Sequence, residues 1–334
     1  MRTILTFLLF ALSLSAAKNL DIYFIDVEGG QATLIVSPSG QSMLVDAGWP
    51  ANNNRDADRI AAAAKLAKVK QIDYFVATHY HTDHIGGVSQ LAARLPIVNF
   101  VDHGANNESG KAADDLFASY TRARDKGKHI VVKPGDKVPV KGIDVTVLTS
   151  NGEKISSPLA GGGAANAMCG GFQPRAVDPT ENARSLGTLV TFGKFRMINL
   201  GDLTWNKEND LVCPSNPIGK VDVYLTTHHG MNMSGPASIV HALGPRVAIM
   251  NNGAKKGGTP EAWQVIKQSP GLEDIWQLHY ALAGGKDNNV PDAMIANVDE
   301  SCEGKWIKLS AMADGTFTVT NGRNKNTKTY KAKS

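Results

Sequence analysis

The sequence predicts a single α/β domain, and three observations carry that expectation. Short apolar strand segments open the chain and then alternate with segments of helical spacing; the same order recurs in the second half; and in both halves the strands end in polar clusters. A chain of 334 residues exceeds the commonest domain size, but layered α/β architectures hold such a length as one unit with a sizeable core.

Taken in order, Leu20 to Asp26, Ala32 to Ser37 and Ser42 to Asp46 read as an antiparallel meander broken by Gly-rich and Pro-Ser-Gly turns. Arg55 to Val69 carries Ala, Lys and Leu at helical spacing, and Ile72 to Ala77 is a compact apolar strand. A helix near Gly86 to Arg94, a strand at Ile97 to Val101, a helix near Lys111 to Asp125 and strands at His129 to Val132 and Asp144 to Leu148 follow. Residues 150–182 lack periodic apolar positions and form the longest expected loop, a lid or a solvated excursion. Leu186 to Phe192 and Phe195 to Leu200 read as a hairpin turning at Gly193-Lys194, with a strand at Val221 to Thr226. Alternation resumes through helices at Pro236 to Leu243 and Glu261 to Gln268 and strands at Arg246 to Met250 and Asp274 to Leu278. Late strands fall at Met294 to Val298, Trp306 to Ala311 and Thr316 to Thr320.

Residues 1–17 have the layout of a secretory signal: Arg2, an apolar run from Ile4 to Leu12, and the small-residue stretch Ser13 to Ala17. The run is well short of the roughly 20 residues that span a bilayer, so cleavage after Ala17 is expected over a membrane anchor or a buried strand. That leaves one domain over 18–334, periplasmic or extracellular, with no transmembrane segment expected in the mature chain. Three cysteines in an oxidising compartment allow one internal disulfide. Cys169 with Cys213 is the expected pair, since both lie in loop-like sequence flanking one strand pair, leaving Cys302 free; three unpaired thiols are the alternative. The formal charge of +4 comes from scattered lysines and arginines, which permits a phosphate-bearing substrate without arguing for one. No basic stretch interleaved with aromatics marks a nucleic-acid interface, and Gly161-Gly162-Gly163 lacks the Lys-Ser/Thr of a phosphate loop.

The chemistry concentrates in Thr78-His79-Tyr80-His81-Thr82-Asp83-His84-Ile85-Gly86-Gly87, directly after the strand Ile72 to Ala77. Three imidazoles and a carboxylate within six positions are the nitrogen and oxygen donors that zinc prefers, and a strand-to-loop setting lets them converge on one point. A lone histidine is ordinarily a surface or core residue; four such donors before Gly-Gly have no comparable structural explanation.

His79, His81, Asp83 and His84 resemble the HxHxDH signature of the metallo-β-lactamase superfamily. The resemblance implies a four-layer αββα sandwich with two divalent metal ions, zinc or else manganese, in a cleft at one edge of the two sheets. Asp46 resembles the family's early Asp, which supports a ligand from behind; Gly201-Asp202 resembles its bridging carboxylate; and His228-His229-Gly230 resembles its last ligand, with His229 favoured because it directly precedes Gly. Five stretches from Ile25 to the region of Asn252 are similar to the extracytoplasmic hydrolase domain of ComEC-type competence proteins: Ile25 to Ala32, Asn182 to Leu186, Asn199 to Asp202, Thr227 to Gly230 and Met250 to Gly253.

On that resemblance one metal takes His79, His81 and Asp202, the other Asp83, His84, Asp202 and His229, and a hydroxide held between them attacks the substrate. Asp83, Asp202 and His228 carry the catalytic roles, His228 in substrate handling or proton transfer. Two features depart from the family. No histidine occurs between His129 and His228, so the first site is one ligand short, with Asn182, His103, His228 or water to complete it. Gly257-Gly258-Thr259-Pro260 also lacks the His of the ComEC-type segment. Asp26, Gln31, Trp205, Asn206, Asn251, Asn252 and His279 are further pocket candidates, Asp26 having turn capping as its plainer role. The expected activity is hydrolysis of phosphodiester or nucleic-acid-type substrates. The alternatives are a β-lactam or lactone, or, from another class, a secreted metal- or nucleic-acid-binding module with little catalysis.

Overall fold

Alternation of side chains across the strands sorts the chain into four layers. The computed structural model describes residues 19–50 and 52–332, so the expected signal segment 1–17 lies outside the described residues. In strand β1 (Leu20–Phe24), Leu20, Ile22 and Phe24 point to one core while Tyr23 points to another. This period of two places every second residue on the opposite face.

The first half supplies β1, β2 (Thr33–Val36), β3 (Ser42–Val45), β4 (Ile72–Val76), β5 (Ile97–Asp102) and β6 (Lys128–Val131). The second supplies β7 (Asp144–Ser150), β8 (Glu153–Lys154), β9 (Ala164–Ala165), β10 (Gly187–Phe192), β11 (Phe195–Asn199), β12 (Ser215–Asn216), β13 (Val223–Leu225), β14 (Val247–Met250), β15 (Asp274–His279) and β16 (Ile295–Asn297). The last strands, β17 (Ile307–Ala311), β18 (Phe317–Asn321) and β19 (Thr327–Tyr330), return to the first sheet. One sheet therefore runs β19-β18-β17-β1-β2-β3-β4-β5-β6, the other β16-β15-β14-β13-β11-β10-β7-β8, and β9 pairs β12 apart from both.

The sheets pack face to face over Met43, Val45, Val147, Val190, Met197, Val223, Ile249, Trp276, Leu309 and Phe317. Helices α1 (Arg55–Leu66), α3 (Val88–Ala92) and α4 (Lys111–Arg124) cover the outer face of the first sheet through Ile60, Ala64, Leu91 and Tyr120; the short α2 (Thr82–Ile85) precedes them at the strand ends. Helices α5 (Trp205–Val212), α6 (Ala237–Leu243) and α7 (Pro260–Lys267) cover the second through Leu211, Val240, Leu243, Trp263 and Ile266. The fold is the expected αββα sandwich. Among the described residues, no helix is long and apolar enough to cross a membrane.

The structure departs from expectation in four places. The helix expected near Gly86 to Arg94 is two short ones, α2 and α3, because the chain must turn at Gly86-Gly87, where an added Cβ would lie 2.2 Å from the Thr82 carbonyl oxygen and 2.1 Å from that of Ala47. Residues 150–182 contain β8, β9 and 3-10 turns and are fastened by the disulfide Cys169–Cys213, with Cys302 free as expected. Helix α5 and strand β19 were not expected at all.

Candidate metal centre

Strand β4 ends at Val76, and Thr78 to His84 follow as the loop and first helical turn at its tip. Asp46 stands behind this segment at the tip of β3, in the left-handed region at φ 60°. Its carboxylate accepts from the Thr78 amide at 2.8 Å, the Thr78 hydroxyl at 2.7 Å and the Gln31 amide at 3.0 Å, and lies 2.7 Å from His84 Nδ1. With Nδ1 engaged by a carboxylate, the Nε2 of His84 faces the centre, the orientation that a carboxylate imposes on a metal-ligating histidine. Gly30 makes the approach of the β1–β2 turn possible, since a Cβ there would lie 2.5 Å from the Asp83 carbonyl oxygen.

The second sheet delivers the facing donors. Gly201 at φ 56° lets the chain leave β11 so that Asp202 turns inward; a side chain there would meet Thr78 Cβ at 2.8 Å. Beyond β13, His228 and His229 both occupy the left-handed region, at φ 55° and 57°, a conformation that costs an L-residue about 1–2 kcal/mol each. The surrounding contacts hold them there. The Gly258 amide donates to the His229 carbonyl at 3.0 Å and the Thr259 amide to the Gly230 carbonyl at 2.9 Å, while a Cβ at Gly257 would lie 2.1 Å from the His229 oxygen. Those two glycines, where the ComEC-type segment differs, thus brace the histidine turn. The Asn251 amide sits 3.3 Å from His229 Nδ1, and Ser234 Oγ 3.2 Å from His228 Nδ1.

These elements bring together Asp83, His84, Asp202 and His229, all buried, with ligand atoms within 4.8 Å of one another. His84 Nε2 lies 3.3 Å from Asp83 Oδ2 and 3.2 Å from Asp202 Oδ2, and His229 Nε2 lies 3.3 Å from both carboxylates. Tetrahedral zinc with bonds near 2.0–2.1 Å spaces its ligand atoms about 3.3–3.4 Å apart, so the separations suit one ion. Nε2 of His79, His84 and His229 and Oδ1 of Asp202 are buried without a hydrogen-bond partner, a cost that a bound cation removes. The donor set fits divalent metal.

His79 is fully buried, its Nδ1 3.1 Å from Thr78 Oγ1 and its Nε2 4.0 Å from Asp202 Oδ2. His228 Nε2 reaches the same carboxylate oxygen at 3.4 Å. His81 stands apart: its Nε2 lies 2.9 Å from Glu108 Oε1. His103 is held by Glu181 at 2.9 Å, and Glu181 also accepts from the Tyr80 and Asn107 amides. Asn182 is buried with its Oδ1 unpartnered. Asp26 and His279 pair with each other at 2.8 Å, away from this centre, and Asn252 holds the His279 backbone. Trp205 and Asn206 at the start of α5 receive the loop instead, Arg175 stacking 3.6 Å from the Trp205 ring centroid. Lys256, which the sequence did not single out, pairs with Asp83 and lies over the Trp49 ring.

Electrostatics mark the same spot. Burial opposes charge on Asp202, yet His229, His84 and His228 outweigh it and hold the carboxyl well below its ordinary range. Burial likewise opposes charge on His84, but Asp202, Asp83 and Asp46 raise it well above the usual histidine value. Burial, then the neighbouring His84, lowers His79 well below that value, leaving it a neutral donor.

A family model described as the metallo-beta-lactamase superfamily matches residues 25–164. That segment contains Asp46 and the His79–His84 motif; Asp202 and His229 lie beyond it. Among solved structures the chain is similar to the metallo-beta-lactamase fold protein YhfI from Bacillus subtilis, at 11% identity and TM-score 0.49, covering 78% of this chain and 96% of that one. It is also similar to Igni18, a metallo hydrolase from Ignicoccus hospitalis, at 13% identity and TM-score 0.43, covering 77% and 94%. Against CmlA, a diiron beta-hydroxylase from Streptomyces venezuelae, identity is 14% and TM-score 0.43; the match covers 77% of this chain and 48% of that enzyme, so the chain spans about half its length. No curated protein sequence matches.

Proposed function

We propose that this protein is an exported metal-dependent hydrolase acting on phosphodiesters of nucleic-acid type. The observation that carries the reading is the convergence of Asp83, His84, Asp202 and His229, from both sheets, with their inward nitrogens and one carboxylate oxygen buried and unpartnered. His79, His81, Asp83, His84, Asp202 and His229 would hold zinc or manganese, which would supply an acidified water near pH 7 and offset charge on the attacked group. The chain's own residues set the geometry: Asp46 and Asn251 fix the ligand rings, and His228, 3.4 Å from Asp202, is the candidate for substrate handling or proton transfer. Lys256, part-exposed beside Asp83, gives the cleft a cation for a phosphate oxygen.

The phosphodiester class rests on the resemblance of five stretches to ComEC-type domains and on the Lys256 cation. Export rests on the layout of residues 1–17 and agrees with the Cys169–Cys213 disulfide, a bond that persists in oxidising compartments. Purified chain lacking residues 1–17, assayed with bis-aryl phosphodiesters, DNA, β-lactams and lactones, with and without zinc or manganese, tests the reading. Metal-dependent cleavage of phosphodiesters in preference to the carbonyl substrates is expected. Turnover confined to β-lactams or lactones, or none on any arm in metal-loaded protein, sinks it.

A further inference from the structure

A second set of donors lies outside this centre. Asp26 follows β1, and Glu28, at φ 56°, turns the chain there by donating its amide to Asp26 Oδ1 at 2.9 Å. His279 ends β15, and Cys302 sits in the segment leading to β17. Asp26 and His279 are fully buried, Glu28 and Cys302 partly so, and their ligand atoms lie within 4.8 Å of one another. We propose that Asp26, Glu28, His279 and Cys302 form a separate site for a zinc-type divalent ion.

Geometry, charge and ligand chemistry agree on this. Tetrahedral zinc with one sulfur and three nitrogen or oxygen ligands spaces its donors about 3.3–3.6 Å apart. Cys302 Sγ lies 3.3 Å from Asp26 Oδ2, 3.4 Å from Glu28 Oε1 and 3.9 Å from His279 Nε2, and that nitrogen lies 3.5 Å from Glu28 Oε2. His279 Nε2 to Asp26 Oδ1, at 2.8 Å, is a hydrogen bond that must lengthen as the ion enters. Two carboxylates and a thiolate carry three negative charges; Arg59, bonded to Asp26 at 2.8 Å and Glu28 at 3.1 Å, returns one, and a dication neutralises the rest. Thiolate with imidazole selects zinc, cobalt or cadmium over magnesium or calcium. Burial and the adjacent Asp26 push the Cys302 thiol up to about 12, so the group is a thiol at neutral pH, and the entering ion displaces its proton to solvent.

Cys302 gives the site a signature that the first centre lacks, because that centre has no sulfur donor and Cys169 and Cys213 are joined to each other. Cobalt(II) added to the intact, non-reduced protein is followed by near-ultraviolet thiolate-to-cobalt charge-transfer absorption, with thiol titration confirming that Cys302 is reduced at the start. Expected is an absorption that saturates at one equivalent, persists in Asp202→Ala and vanishes in Cys302→Ser. Zinc analysis should find one ion fewer in Cys302→Ser than in wild type, with basal hydrolysis unchanged. Absence of the absorption at saturating cobalt, or its survival in Cys302→Ser, overturns the site, leaving an Arg59-centred ion-pair cluster; neither result bears on the hydrolase reading.

Discussion

The Asp83–His84–Asp202–His229 centre and the Asp26–Glu28–His279–Cys302 cluster are both built from strand ends of the two sheets, yet they treat buried negative charge differently. Asp26 has an internal cation: burial disfavours its charge, but His279 and Arg59 outweigh that and hold it below the ordinary carboxylate range. At the first centre Lys256 pairs with Asp83 at the rim, and Nε2 of His79, His84 and His229 are left without hydrogen-bond partners. Glu208 is a third case: buried with no ion-pair partner among the described residues, its carboxyl group has its pKa pushed up to about 8 and keeps its proton at neutral pH. A buried carboxyl group needs a compensating cation, hydrogen-bond donors or a proton, and the three carboxyl groups differ in which of these the fold places nearby.

That contrast can be broken most severely at Asp202. Asp202→Ala should lose both ions of the first centre together and abolish metal-dependent turnover, read by metal analysis beside activity; retention of one tight ion would dismiss the shared carboxylate. Asp46→Ala leaves every proposed ligand in place but frees the His84 ring, and metal affinity or activity should drop roughly 10–100-fold. An unchanged affinity would mean that packing alone orients His84. Graded chelation sharpens the picture within the centre. Two steps are expected, the weaker ion leaving first, and His81→Ala should chiefly empty that weaker side, because His81 rests against Glu108 while Asp83, His84 and His229 already converge.

A further expected effect, outside the metal centre, concerns the protonated carboxyl group. Glu208 has its folded value raised above the 4.5 of an ordinary glutamate, so between about 4.5 and 8 the folded chain binds the proton that the unfolded chain has lost. Stability from this group is full below 4.5 and declines as pH rises through the window, by at most about 1.4 kcal/mol per pH unit. Glu208→Gln keeps the shape without the titration. Urea unfolding at pH 5 and pH 8.5 should show a smaller loss in the variant than in wild type, and equal losses would refute the buried proton.

Much of the first centre was legible because its donors are adjacent or follow strands at Gly. The His79–His84 run needs no tertiary knowledge, and Gly201 and Gly230 announce turns that aim Asp202 and His229. Glu108, Glu181 and Lys256 were not legible: each is a lone charged residue in a loop, and only the folded chain places it against His81, His103 or Asp83. The Cys302 cluster escaped for the same reason, its donors being spread from Asp26 to Cys302. Helix α5 reads Trp-Asn-Lys-Glu-Asn-Asp-Leu-Val, too polar for a periodic stripe, and it buries even Glu208. Strand β19 alternates Thr and Lys and buries only Tyr330, so it resembled a charged tail.

The return of β17 to β1 bears on the order in which the molecule can assemble. Leu20 pairs with Ala311 across the sheet, and Asn19 donates to Ser310, 291 positions away, at 3.1 Å. The sheet beneath the histidine motif is therefore incomplete until β17 has paired with β1. Pairings of such separation place the chain among slow folders of high contact order.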